Sequence, residues 1–463
     1  METIHTKEQQ LHIAMFPWFA KGHITANMHL ANNLADQGHR ISFFLPSKAQ
    51  PLFSQLNSHP DLITLIPVPL PQLPGLDPDI QTTADCNCCG LTHHLFATAI
   101  DRTAPFIESS LLSLKPQVVF YDIAQWVPQI TKKMGILAVM FFITSPAYLA
   151  HSLIPRDKEH PTESEIRQLP PDFPHPCLVL HKFEAREACK LFVNEYGEGV
   201  TFMRRLKTAL MDSDAIVVKT WKNLGGHYLD YIKKQTNKPV FTAGQTIPTP
   251  PPKPLKGCTT SLWLKKFESK SVIYCAFGSE CHALSLGQFQ ELLLGIELTG
   301  LPFLIALKPP TGVGNIELAL PEGFQHRTGE RGIVTGEWVP QPEILAHDSV
   351  GCFVTHCGWG SFTEGLMGKC QLVLMPRIGD QLVNARLMSG DLKVGVEVRR
   401  REEDGAFDRY GVCEAVKVVM NVEDGVGKEV KMNYDRWRRV LLGPGLERAC
   451  VDELVTNLQQ LVM

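Results

Sequence analysis

Between Trp338 and Gln381 the chain sets out an indole, a carboxamide, an imidazole, a hydroxyl and a carboxylate: Trp338, Gln341, His356, Ser361 and Glu364, closed by Asp380-Gln381. At its centre an apolar run, Gly351-Cys352-Phe353-Val354-Thr355, turns at Gly358 into a helix beginning near Gly360-Ser361. A helix start carries unpaired N–H groups and a partial positive charge, so it can hold a diphosphate without metal. His356 and the Ser361 hydroxyl add donors there, and Ser279, after Gly278 at another strand end, is placed to contribute from a facing loop. Trp338 suits stacking on a flat heteroaromatic ring, while Glu364 and Gln341 suit the hydroxyls of a sugar. Asp380 and Gln381 form an acceptor-rich pair for further hydroxyls. A second set lies far away in the chain, with His23 just past the first apolar run and Asp122 at the end of a later one. An imidazole can take a proton from a hydroxyl. A carboxylate behind it fixes the tautomer and steadies the imidazolium.

The elements that must position these groups read as alternating short strands and helices. Leu11–Phe16 is a buried strand, Ala20-Lys21-Gly22-His23 a turn, and Ile24–Gln37 a helix stopped by Gly38. Further strands fall at Ile41–Leu45, Gln117–Tyr121, Leu137–Ile143 and Ala215–Val218. Residues 67–78 and 155–176 form proline-rich loops, the usual place for binding specificity at the rim of a rigid sheet. Five prolines in the nine residues 246–254 mark a stiff linker and a domain boundary. The alternation then restarts with strand Val272–Phe277, helix Leu286–Leu298, and strands Phe303–Leu307, Gly351–Thr355 and Leu372–Met375. The reading is α/β, with two Rossmann-like parallel-sheet domains facing across a cleft and ligands beyond the carboxyl ends of the strands. The expected limits are 1–245 for the first domain, 246–257 for the linker and 258–445 for the second. Residues 446–463 form a last helix that packs back on the first domain.

Composition narrows the function classes. The chain has 463 residues, 44% hydrophobic and 20% charged, the profile of an ordinary packed globule. With 45 basic and 48 acidic residues the net charge is −3, so no global field recruits nucleic acid or an anionic membrane. Thirteen cysteines cannot all pair, and no Asn-x-Ser/Thr acceptor occurs. The first ten residues are polar, and the most apolar run, Ile136–Ile154, is interrupted by Ser145, Pro146 and His151. The expectation is a cytoplasmic monomer without stable membrane insertion.

The stretch from Trp338 to Gln381, 44 residues long, resembles the signature box of plant UDP-sugar-dependent glycosyltransferases. Phe16-Pro17-Trp18-Phe19-Ala20-Lys21-Gly22-His23 and Phe277-Gly278-Ser279 fit the same family. The resemblance implies a GT-B fold and inverting, metal-independent transfer from a UDP-sugar, which is a co-substrate and not a cofactor. It places Trp338, Val339, Gln341 and Glu364 on uracil and ribose, and Ser279, His356, Gly358, Gly360 and Ser361 on the diphosphate. Thr144, Trp359, Asp380 and Gln381 fall on the donor sugar, and His23 with Asp122 forms the catalytic pair. Many members carry Asn where this chain has Gly360, and a small apolar residue and Pro where it has Lys369-Cys370. Gly at the first position resembles the subgroup that adds a sugar to one already attached to a flavonoid. The implied acceptor is therefore a flavonoid or anthocyanin 3-O-glycoside, with UDP-glucose, UDP-xylose or UDP-rhamnose as donor. The alternatives are an aglycone phenol or terpenoid glycoside as acceptor, a non-catalytic UDP-sugar-binding protein, or a nicotinamide oxidoreductase.

Other patterns read as structure. Asp77-Pro78-Asp79 and Asp212-Ser213-Asp214 spell acid-x-acid metal motifs but fall in a proline-rich loop and a surface turn. Cys86, Cys88 and Cys89 near His93 and His94 lack a second ligand pair at zinc spacing. Gly312-Val313-Gly314 lacks the third glycine of a dinucleotide fingerprint. Arg399-Arg400-Arg401 is neutralised by the acidic run that follows it.

Overall fold

Seven strands pair in parallel as one sheet: β1 (His12–Phe16), β2 (Arg40–Pro46), β3 (Ile63–Val68), β4 (Val118–Tyr121), β5 (Leu137–Phe142), β6 (Ala215–Val218) and β7 (Val240–Thr242). Their order is β3-β2-β1-β4-β5-β6-β7, so the winding reverses between β1 and β4. β1 and β4 are apolar runs buried almost throughout, as a strand covered on both faces requires. Their register sets Phe16 beside Tyr121. The residues that follow each strand therefore leave the sheet as neighbours, at the point where open α/β sheets bind ligands.

Six further strands form a second parallel sheet: β8 (Val272–Ala276), β9 (Phe303–Ala306), β10 (Gly332–Thr335), β11 (Val350–Thr355), β12 (Gln371–Leu374) and β13 (Gly395–Glu397). The order is β10-β9-β8-β11-β12-β13, with the reversal between β8 and β11. Ala276 pairs with Thr355, which brings Phe277-Gly278 and His356 together past the strand ends.

The computed structural model describes residues 10–86, 90–154, 159–245, 259–278 and 284–463. Two compact units emerge. The first comprises Met1–Leu153, Leu191–Ile247 and Pro444–Met463, and the second Ile154–Lys190 and Pro248–Gly443. The proline-rich stretch 246–254, and with it the linker expected at 246–257, lies outside the described residues. One expected boundary is corrected: the first domain is not 1–245 without interruption, because 154–190 belongs to the second unit. The physical reason is a buried ion pair. Arg386 Nη2 bonds both carboxylate oxygens of Glu184 at 2.8 and 2.9 Å, with Glu184 only 1% exposed. Lys182 N–H also donates to Glu402, and the guanidinium of Arg400 lies over Phe183.

The helix Leu446–Val462 returns to the first unit and buries Val451, Leu454, Val455 and Leu458 in the core shared by Ile13, Met28, Leu34 and Val217. Its Glu447 accepts from the Trp221 indole and from the backbone of Gln245. A second, separate core lies in the other unit, around Ile273, Leu292, Val354 and Val416.

A second correction concerns His23. The first helix runs Lys21–Ala35, starting three residues earlier than its apolar spacing indicates. Ala20 caps it in an extended conformation, and its carbonyl accepts from Ile24. His23 is thus in the first helical turn, held by regular backbone, and not in a loop.

Candidate active site

In the first unit the two residues separated by 99 positions meet. His23 Nδ1 lies 3.0 Å from Asp122 Oδ2. The carboxylate is 3% exposed and the imidazole 26%, so one end of the pair is enclosed and the other reaches solvent. Asp122 Oδ2 also accepts the backbone N–H of Trp18 at 2.7 Å. That bond comes from the loop after β1 to a residue just past β4, and it follows from the strand register. A carboxylate held by one fixed donor presents its lone pair to the imidazole in one direction. Of the two ring nitrogens of His23, Nε2 is the one that does not face Asp122, and it is the atom by which an imidazole so held can act on a hydroxyl. Thr144, two residues past β5, has its hydroxyl enclosed with no protein partner among the described residues.

The second unit assembles the other set. β11 ends at Thr355, and Cys357 adopts a left-handed conformation at φ 67° before the helix Trp359–Met367 starts. Gly358 caps that helix without any side-chain bond. The N–H groups of Gly360 and Ser361 have no acceptor within the helix, the kind of backbone donor that can hold an anion. His356 is buried against Gly278 and Gly358. A Cβ at either glycine would stand 2.9 Å from its Cε1 or 2.5 Å from its Nε2. Burial pushes the imidazole down to about 4, against a backbone hydrogen bond at Ala276 that favours the charged form. At neutral pH His356 is therefore uncharged, with its ring packed beside the helix end. Ser279, placed by its motif on the diphosphate, lies outside the described residues.

Trp338 and Val339 sit between β10 and the helix Gln341–Leu345. The Trp338 indole is 86% exposed, a large apolar face turned to solvent. Gln341 and Glu364, each separately suited to a sugar hydroxyl, bond to one another: Gln341 Nε2 donates to Glu364 Oε2 at 2.6 Å. Gln341 Oε1 accepts from the Tyr274 hydroxyl at 3.2 Å. Burial, with the Glu364 charge adding to it, pushes the Tyr274 phenol well above its usual range. Tyr274 therefore stays a donor.

Asp380 opens the helix Asp380–Arg386, and its Oδ2 accepts from the Asn384 amide at 2.8 Å. The same amide donates to the carbonyl of Cys357 at 3.0 Å. Asn384 thus joins the turn after β11 to Asp380. Gln381 Oε1 takes the N–H groups of Arg377 and Ile378 at 3.0 and 3.2 Å, which fixes the side chain at the start of the same helix. Trp359 is 2% exposed and packs on Phe362, so its indole belongs to the core. Trp18, Tyr274 and Asn384 escaped the sequence reading. Of these only Asn384 left a signal, its position one helical turn after Asp380.

The family model described as UDP-glucoronosyl and UDP-glucosyl transferase matches residues 313–437. An anthocyanidin 3-O-glucoside 2''-O-glucosyltransferase from Ipomoea nil is 45% identical over 97% of this chain and 98% of its own. This chain belongs to that transferase family. A cyanidin 3-O-galactoside 2''-O-xylosyltransferase from Actinidia chinensis var. chinensis is also 45% identical, over 97% of this chain and 98% of its own. Among solved structures, the Glycyrrhiza uralensis glycosyltransferase UGT73P12 superposes with a TM-score of 0.79 at 19% identity, covering 98% of this transferase and 96% of that chain. The shared fold is GT-B, and the protein is an enzyme, a UDP-glycosyltransferase. No helix among the described residues is long and apolar enough to cross a membrane.

Proposed function

We propose that this transferase moves a hexose, pentose or deoxyhexose from a UDP-sugar onto a sugar hydroxyl of a flavonoid or anthocyanin 3-O-glycoside. The observation that carries this reading is near full-length identity of 45% to two relatives whose names each specify transfer to an anthocyanidin or cyanidin 3-O-glycoside. One of those names specifies glucose and the other xylose, so the donor remains within the UDP-glucose, UDP-xylose and UDP-rhamnose set.

In this reading His23 removes the acceptor proton as the acceptor oxygen attacks the anomeric carbon from the face opposite UDP. Asp122 stabilises the imidazolium that forms. The bond from the anomeric carbon to the diphosphate oxygen breaks with its electron pair on UDP, and the configuration inverts. The helix start at Gly360-Ser361, with the uncharged His356 packed beside it, stabilises the leaving diphosphate without a metal ion. Trp338 stacks on uracil. The Tyr274–Gln341–Glu364 chain faces ribose, and Asp380 and Thr144 are assigned to the transferred sugar. The enzyme works as a cytoplasmic monomer.

A donor-by-acceptor turnover matrix read by mass spectrometry tests the proposal, with flavonoid aglycones set against their 3-O-glycosides. The expected products carry two sugars and form from the glycosides. Products from the aglycones alone would overturn it. The linkage formed from α-configured UDP-glucose should be β by NMR.

A further inference from the structure

We propose that Arg205 is a positioning residue for the His23–Asp122 pair, holding together the two loops that orient it. The inference rests on the catalytic reading of that pair.

Arg205, on the helix Phe202–Asp212, has a side chain with no solvent exposure. All five of its N–H donors are used. Nη1 donates to Asp101 Oδ1 at 2.8 Å and to Gln125 Oε1, Nη2 to Asp101 Oδ2 and to the Tyr196 carbonyl, and Nε to that same carbonyl at 3.0 Å. Gln125 lies three residues past Asp122, in the loop that leaves β4. Asp101 holds the same loop a second time, by accepting the Trp126 indole N–H at 3.1 Å.

The other loop is held through Trp18. Its ring lies 5.3 Å from the Arg205 guanidinium, and its Nε1 donates to the Tyr196 hydroxyl at 3.2 Å. The backbone N–H of this same Trp18 orients Asp122. Arg205 therefore touches neither catalytic side chain but grips both approaches to them. The backbone is shaped around it. Gly197, at φ 96°, passes so close that a Cβ there would meet Arg205 Nη2 at 2.0 Å and Asp101 Oδ2 at 2.5 Å.

A buried ion pair is no better for stability than apolar packing of the same volume, because desolvation offsets its Coulomb attraction. What the guanidinium supplies that apolar packing does not is direction: five donors in one rigid plane. A hydrogen bond such as Trp18 N–H to Asp122 is lost on a shift of about 1 Å. Displacements of that size at an active site can cost about a hundredfold in rate.

The test compares Arg205→Lys, which keeps the charge and loses the fork, with Tyr196→Phe, which removes the hydroxyl that accepts from the Trp18 indole. The full chain is used, with UDP titration counting folded sites. Arg205→Lys should lower kcat about tenfold with KM for the UDP-sugar unchanged. Both variants should also move the acid limb of the pH–rate profile to higher pH, Tyr196→Phe by less. The direction follows from Asp122, the carboxylate bonded to His23; Lys21 stands two residues earlier on the same helix. Deprived of the Trp18 N–H, the carboxylate holds the imidazolium proton more tightly. An acid limb unmoved in both variants overturns the proposal whatever happens to kcat, and Tyr196→Phe decides alone if Arg205→Lys does not fold. His23→Ala separates the two readings. Retained transfer in His23→Ala removes the catalytic pair and this inference with it. An inactive His23→Ala beside an unmoved acid limb removes only the role of Arg205.

Discussion

Gln341 and Glu364 are bonded to each other at 2.6 Å, with the Tyr274 hydroxyl behind them, so the direction of the carboxylate is set within the protein. Residues 23 apart in sequence form one preorganised acceptor, which reduces the ordering cost of binding.

Gln341→Met keeps the side-chain volume and leaves Glu364 without its amide donor. UDP affinity measured by calorimetry should fall about tenfold, the loss of roughly one hydrogen bond to a charged group. Tyr274→Phe should produce a smaller loss in the same direction. Unchanged affinity in Gln341→Met would remove the pair from the nucleotide site.

His356 makes folding stability depend on pH. The unfolded chain takes up this proton near pH 6.5 and the folded one only near pH 4. Between those values the unfolded state binds more protons, so stability falls as pH falls, and the whole effect is reached below the folded value. At pH 5 the loss is about 2 kcal/mol from this residue. Denaturant unfolding across this window should show that slope, and His356→Gln should flatten it.

Gly360 has open space where a side chain would go, with no heavy atom within 4 Å of a Cβ. Gly360→Asn should therefore fold normally and place an amide beside the bare helix start. UDP should bind about threefold to tenfold more tightly, as one added hydrogen bond to a charged group allows. Weaker binding would mean that the diphosphate lies elsewhere.

Glu184→Gln leaves the buried Arg386 with Glu397 as its remaining carboxylate. Equilibrium unfolding should show a loss of about 3 kcal/mol, in the range for breaking a buried pair from one side. A change below about 0.5 kcal/mol would show that this pair does not tie 154–190 to the second unit.

The strands left unread in the sequence share one trait. β3, β7, β10 and β13 are the four sheet edges, and each is only partly buried. Central strands are covered on both faces and announce themselves as unbroken apolar runs; edge strands are not. The start of the first helix was misread for a related reason, since neither Ala20 nor any neighbouring side chain makes a capping bond that would mark it.

The local chemistry was legible from the sequence alone. The strand, glycine turn and helix start at Val350–Met367 could be read there, because backbone geometry depends on neighbours in the chain. His23 and Asp122 were legible as types. Their 3.0 Å contact was decided only when β1 and β4 paired in register. Tertiary structure alone decided the companions: Trp18 on Asp122, Tyr274 behind Gln341, Asn384 between Cys357 and Asp380, and the Arg386–Glu184 pair that moves 154–190 into the second unit. Directional bonds and buried charges depend on which groups the packed sheets bring within about 3 Å, and no spacing along the chain encodes that.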